Sequence, residues 1–494
     1  MTHREIRPGR ATFRAEPDQR AACRADLLAA AAGALLVALA AVIGTVIEHA
    51  NGSLHVNWPP LYASWFPHLG PGTPAAVAVA VLVIAYGPPL AARLPWRALV
   101  LTGWAAALSW TTALALIDGW QTGVAGRLTT AYEYLTVIRR FDDLGPALRG
   151  FTGHILNNAP DHWPAHVAGH PPAAILTFVG LDRLGLGGGA WAGVWCLVTG
   201  ASTAAAVLIA LRALTDEATA RRAAPYLVLA PAAVWMGTSA DGYFAAVAAW
   251  SLALLALAAT RRTGPRPPLG GEAPGASRRS ALLPAAAALG SGLLLGLTCY
   301  LSYGLTLIVL IAAAVLLLAR SARPLPLVAA GAAAVAVAFT LSGFDWWEGY
   351  RLLVQRYYQG AAAVRPYAYW VWGNLACAVL ITGLATVAAL RRTLAAAPAA
   401  LRQLRPRTDP GPHRTGPPPT PADRLAVLVL AALLALLVAD LSGMSKAETE
   451  RIWLPFAPWL LAACARLPAS RRRHWLTAQA VLPLLVNHLL YTGW

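Results

Sequence analysis

Residues 170–189 read His170-Pro171-Pro172-Ala173-Ala174-Ile175-Leu176-Thr177-Phe178-Val179-Gly180-Leu181-Asp182-Arg183-Leu184-Gly185-Leu186-Gly187-Gly188-Gly189, and whether they cross a membrane decides how the whole chain is threaded. The apolar part, Pro171–Leu186, is about 15 residues long and runs into a glycine triplet, short of the ~20 residues that span a bilayer core. Leu27–Ile47, Arg97–Ile117, Trp191–Leu211 and Leu301–Ala319 do approach or reach that length. Of the 494 residues 57% are hydrophobic and 12% charged, about half the charge of a soluble domain. The chain reads as all-α and polytopic, a transmembrane helical protein.

Thirteen spans are expected, near 27–47, 75–93, 97–117, 190–211, 223–238, 243–260, 281–298, 302–319, 324–342, 369–390, 425–442, 453–466 and 475–492. With the N-terminus cytoplasmic and 171–186 left as a re-entrant or interfacial helix, the cytoplasmic segments hold 29 of the 39 Lys and Arg and the outer ones 10. If 171–186 crossed, the Arg-rich loops at 212–222, 261–280 and 391–424 would fall outside, against the positive-inside rule. The net charge of +17 is thus mostly a topological signal that suits an anionic inner leaflet, and no nucleic-acid partner is expected. The expected location is the plasma membrane.

A basic leader, 1–26, carries Arg4, Arg7, Arg10, Arg14, Arg20 and Arg24. The apolar run behind it is too long for a cleaved signal and reads as a start-transfer helix that stays. Residues 27–494 form one transmembrane domain, with outer loops 118–189, 343–368 and 443–453 and Pro/Gly/Arg-rich cytoplasmic linkers at 261–280 and 391–424. The five cysteines fit neither a disulfide framework nor a metal spacing.

Polar residues that lipid would exclude mark where chemistry sits. The long loop opens with Asp118 at the end of a span, where a carboxylate either serves as a general base or merely ends the helix. It continues with Tyr132-Glu133-Tyr134 and two segments, 127–140 and 144–157, that read as amphipathic helices lying at the interface. Asp161, His162, His166 and His170 follow. A zinc site on Asp161, His162 and His166 is one reading, and loop histidines that bind hydroxyls or phosphate are the other. In 343–368, Arg365 and several Trp and Tyr suit either a sugar or the aromatic belt of the interface. In 443–453, Lys446, Glu448, Glu450 and Arg451 are compressed between two spans and suit a phosphate or a salt-bridged turn. Lys446 is the chain's single Lys. Asp241 and Tyr303 stand at outer span ends, and Asp440 lies within a span's last turn, where Arg451 or Lys446 are candidate partners.

This layout resembles the GT-C class of glycosyltransferases, which includes protein O-mannosyltransferases, aminoarabinose transferases and actinobacterial mannosyl- and arabinosyltransferases. The resemblance rests on Asp118 opening a long outer loop, on the juxtamembrane segments 127–157, on His170-Pro171-Pro172, on Asp241 at the start of a span, and on Glu448-Thr449-Glu450-Arg451-Ile452-Trp453. It covers roughly 100–460. The chain departs from the class in placing two extra spans before the loop and in having one acid, not a pair, at position 118.

The resemblance implies transfer of a sugar, mannose or another pentose or hexose, from a polyprenyl-phosphate donor to an extracytoplasmic glycan or lipid acceptor. Asp118 would be the base. Arg451, Lys446 and Arg365 would meet the leaving phosphate. Glu133, His166, His170, Asp241, Tyr303, Glu448 and Glu450 would contact donor or acceptor. Beyond membrane lipids and the lipid-linked donor no cofactor is implied, and a divalent metal is left open. The rival readings are a lipid or sugar transporter or flippase, which predicts repeat symmetry, broken helices and charges deep in spans, and a non-catalytic subunit of an envelope-assembly complex.

Overall fold

The computed structural model describes residues 16–237, 239–260, 274–404 and 419–493. The start of the leader and much of the two linkers at 261–280 and 391–424 lie outside the described residues. Ala- and Leu-rich runs form helices because in lipid each backbone N–H and C=O must find a partner within its own segment. Among the described residues, eight helices are long and apolar enough to cross a bilayer: Arg20–Asn51, Thr73–Arg93, Trp96–Asp118, Gly189–Leu214, Ala240–Thr260, Leu282–Leu301, Leu384–Arg402 and Pro421–Leu441. A ninth arises if Leu325–Leu341 and Trp346–Tyr357, bent by 76° to one another, count as one span.

The expected thirteen are therefore not met by length, and each shortfall has a local cause. The segment 223–238 starts as the helix Glu217–Val228, capped by Asp216, which accepts from the Thr219 amide, and breaks at Pro231 before a short turn Ala233–Met236. The segment 369–390 is split at Gly383, whose φ of +86° ends the helix Tyr367–Thr382 and starts Leu384–Leu404. The segment 453–466 forms only a short buried helix, Ala457–Leu461, running into a 3₁₀ turn. Residues 302–319 pass from a 3₁₀ turn into the helix Ile308–Ala319. Arg472–Leu489 is helical but gives way to a strand, Leu490–Thr492.

The deciding stretch folds as the helix Ala173–Arg183, 11 residues long. At 1.5 Å per residue it covers about 16 Å, roughly half a hydrocarbon core. Ala174, Ile175, Phe178 and Val179 are buried against the rest of the protein instead of facing lipid. The interfacial segments 127–140 and 144–157 are shorter and tighter than expected, with 3₁₀ turns Arg127–Thr129, Tyr134–Phe141 and Phe151–His154 around one α-helix, Leu144–Arg149. They are pinned by Phe141, Phe151 and Trp163, which pack ring against ring.

Side-chain contacts sort the connections into two ends. At one end Asp26 binds Arg391 and Arg392, Arg221 donates to the carbonyls of Ala91 and Leu94, Arg424 to Leu318, and Arg466 to Ala422. At the other end the loops after Asn51, Asp118, Leu341 and Leu441 meet. There Ala63–Trp65 pairs antiparallel with Leu490–Thr492, with Ser64 opposite Tyr491.

Candidate active site

Asp118 closes the helix Trp96–Ala115 through a 3₁₀ turn, and Gly119, at φ +81°, turns the chain away. Its carboxylate is nearly enclosed. Oδ1 lies 2.8 Å from Nε2 of His68, and Oδ2 accepts from Arg127 at 3.0 Å. Arg127 also donates to the Thr492 carbonyl at 2.6 Å and lies over the Tyr491 ring. The loop bearing His68 comes so near the helix end that a Cβ on Gly70 would stand 1.7 Å from the Ile117 carbonyl oxygen, which only glycine permits. Between them opens a cleft of about 650 Å³, lined by Trp65, Phe66, His68, Leu69, Asp118 and Tyr491.

A second group is assembled from four segments. Asp241, in the first turn of Ala240–Thr260, binds Arg451 at 2.6 Å. Arg451 binds Glu448 at 3.0 Å with its other arm, and Arg365 stands 3.7 Å from Glu448. Glu133 binds Nδ1 of His166 at 2.7 Å. Nδ1 of His170 donates to the His166 carbonyl at 2.7 Å and lies 3.0 Å from the Tyr134 hydroxyl. His170 is extended, as a residue before proline must be, so Pro171 helps aim its ring. Glu448 has a φ of +62° and keeps 25% of its side chain exposed, which makes it the outward member of a buried set.

The charges in this group fix one another. Burial alone would lift the Glu448 carboxyl, but Arg451 and Arg365 outweigh it and hold its pKa below the usual range. Burial would lower the Arg451 pKa, but Asp241 and Glu448 raise it instead, so the guanidinium stays charged. Burial pushes His170 down from 6.5 to about 4, despite the pull of Asp241. The ring is therefore neutral near pH 7.

This has a measurable consequence. Between about pH 6.5 and 4 the unfolded chain binds a proton at residue 170 that the folded chain refuses. The stability it contributes is full above about pH 6.5 and falls, by up to ~1.4 kcal/mol per pH unit, as the pH drops toward 4. His170→Gln is expected to flatten that part of the thermal-unfolding profile in detergent. Equal slopes for variant and wild type would remove His170 as its source.

Not all expected residues join these groups. Lys446 donates from Nζ to the Ala362 carbonyl and lies over Tyr358, fastening 443–453 to 357–362. Arg365 also donates to the carbonyls of Leu54 and Lys446. Glu450 accepts from the Tyr62 amide. Tyr303 packs under Trp346 and Tyr350, away from the ionic group. Asp440 accepts from Asn374 at 2.9 Å instead of meeting Arg451 or Lys446.

The suggested metal set does not assemble. Asp161 and His162 are exposed, and His166 is engaged by Glu133. Among the described residues no three His, Cys, Asp or Glu are grouped so as to hold a metal ion.

Sequence reading missed His68, Arg127 and Tyr62 as site residues. The signal for two of them was present: 52–72, with His55, Trp58-Pro59-Pro60 and His68, is as polar and aromatic as the three loops that were singled out.

No family model matches the chain, and no curated protein matches it either. Among solved structures it resembles ArnT from Cupriavidus metallidurans in the apo state, at 15% identity and a TM-score of 0.41 over 74% of this chain and 60% of that one. It also resembles the Archaeoglobus fulgidus oligosaccharyltransferase. For the apo form the identity is 14% and the TM-score 0.43, over 81% of this chain and 57% of that one. For the complex with zinc and sulfate they are 14% and 0.42, over 78% and 51%. The chain thus spans between half and three fifths of the length of these solved chains.

Proposed function

We propose that the chain is a membrane glycosyltransferase, which moves a sugar from a polyprenyl-phosphate donor to a glycan or lipid acceptor at the extracytoplasmic face. The observation that carries the reading is Asp118. It is an ionisable side chain at the very end of a span, opening on a cleft with an apolar rim, at the same end of the molecule as the Arg365–Glu448–Arg451 group. The 29 Lys and Arg against 10 of the sequence-based threading support placing that end outside.

In this reaction the acceptor oxygen bonds to the anomeric carbon as the bond from that carbon to the phosphate oxygen breaks. The phosphate leaves with the electron pair, and Asp118 takes the acceptor's proton. A phosphate is a good leaving group once its charge is met. Arg451 is held by Asp241 and Glu448, so the phosphate replaces the outermost partner, Glu448, and meets Arg451 and Arg365 together. Lys446 anchors the loop that brings them there. Asp241 holds Arg451 in place, and Glu133 and His166 fix one another beside His170.

The test is release of polyprenyl phosphate when the purified protein is given polyprenyl-phosphate mannose or a polyprenyl-phosphate pentose. Release with transfer to an acceptor supports the reading. Movement of the intact lipid across proteoliposomes without release would replace it with a flippase, and neither activity would leave the assembly-subunit reading.

A further inference from the structure

We propose that His68 is the positioning residue of the Asp118 base, holding the carboxylate with a ring that is protonated on both nitrogens. The catalytic half of this inference rests on the transferase reading above, and the protonation half rests on geometry alone. Nδ1 of His68 lies 2.8 Å from the Phe66 carbonyl oxygen, and Nε2 lies 2.8 Å from Oδ1 of Asp118. A carbonyl oxygen only accepts, so Nδ1 carries a proton. A neutral imidazole has a single N–H. The Asp118 contact therefore needs one proton more, on Nε2 or on the carboxyl. Arg127 already donates to Oδ2 at 3.0 Å, and a guanidinium beside a carboxyl favours its ionised form. The extra proton belongs on His68.

The surroundings agree with this. The Phe66 ring packs on the His68 ring with 5.1 Å between centroids, Asp118 meets its Nε2, and Arg127 holds the other oxygen of that carboxylate. The ring of His488 is spoken for, with Nδ1 on the Leu484 carbonyl and Nε2 on Thr73. The His68 amide donates to the His488 carbonyl at 2.8 Å, so its backbone is fixed as well as its ring. Tyr491 lies under Arg127. Asp118 thus meets a partner on each of its two oxygens, and it lines the cleft. Each of its oxygens keeps a second lone-pair direction. An acceptor hydroxyl can use one of them, and its proton moves to Asp118 as the oxygen bonds to the sugar.

His68 acts on the rate by fixing the carboxylate in its direction toward the cleft. His68→Gln retains a donor on a shorter, non-aromatic side chain. Its kcat is expected to fall at least about tenfold with KM within about twofold. Added imidazole is expected to restore part of the activity of His68→Ala. A wild-type kcat in His68→Gln, or no rescue of His68→Ala by imidazole, overturns the positioning role. Solid-state nitrogen NMR of histidine-labelled wild type, compared with His68→Gln, reads the protonation independently of any substrate. The resonance pair missing from the variant is expected to be that of a doubly protonated ring. A pair with one bare nitrogen overturns the assignment, even if sugar transfer is observed. If no lipid-linked sugar is turned over by wild type, the transferase reading falls while the NMR result still decides the state of His68.

Discussion

Asp118→Asn is expected to lower sugar transfer at least about 10³-fold, within the range that general bases contribute, while the protein still elutes as a folded species in detergent. The two side chains have the same shape, but Asn removes the charge and turns one acceptor into a donor. Its NH₂ must then face either Nε2 of His68 or the Arg127 guanidinium; the guanidinium only donates, and so does Nε2 in the doubly protonated ring proposed above. The change is local because Arg127 keeps its bond to Thr492 and its place over Tyr491. Initial rates at saturating donor, with thermal unfolding as the control, decide the matter. A variant that folds and transfers sugar at the wild-type rate removes Asp118 as the base.

Arg451→Met is expected to be the most destabilising single change at the site, by about 3–5 kcal/mol. Arg451 and Asp241 are almost fully buried, with side chains 6% and 7% exposed. Removing the guanidinium strands Asp241 as an uncompensated charge in a low-dielectric setting and frees Glu448 from its closer cation. The second change Asp241→Asn, made on top of Arg451→Met, is expected to recover a good part of the loss, because it removes the stranded charge. This pair of variants separates fold from chemistry. If the double variant is folded and still inactive on a lipid-linked sugar, Arg451 serves the reaction as well as the structure. If Arg451→Met is as stable as wild type, the buried ion pair contributes nothing, and its description as a fixed group is wrong.

Much of this arrangement was legible in the residues, for physical reasons that can be named. The length of Pro171–Leu186 and the parity of Lys and Arg both argued that it does not cross, and it folds as a helix of 11 residues inside the protein. Glu133, His166, Asp241, Glu448 and Arg451 were marked because lipid excludes charge, and the same exclusion drives them into one another's company.

What could not be read was pairing and interruption. Hydropathy along 369–390 is continuous, and only the left-handed turn at Gly383 divides it. Pro231 breaks its helix in a run apolar enough to look like a span. One partner of Asp118, His68, comes from a loop fifty residues earlier, and nothing in a one-dimensional pattern says which histidine a carboxylate will meet. For Asp440 the candidate partners were the cations near it in sequence, whereas Asn374 reaches it from another helix.

The small sheet has a consequence in time. Ser64 and Tyr491 face each other across it, roughly 430 residues apart in the chain. At the usual ~5–20 residues per second, synthesis separates the two strands by about 20–90 s. Throughout that interval Ala63–Trp65 is an unpaired edge at the membrane surface, and Arg127 lacks the Thr492 carbonyl that helps hold it to Asp118. The early helices can be inserted and packed, but the wall of the cleft is missing. The cleft is therefore complete only once residues 490–492 have been made.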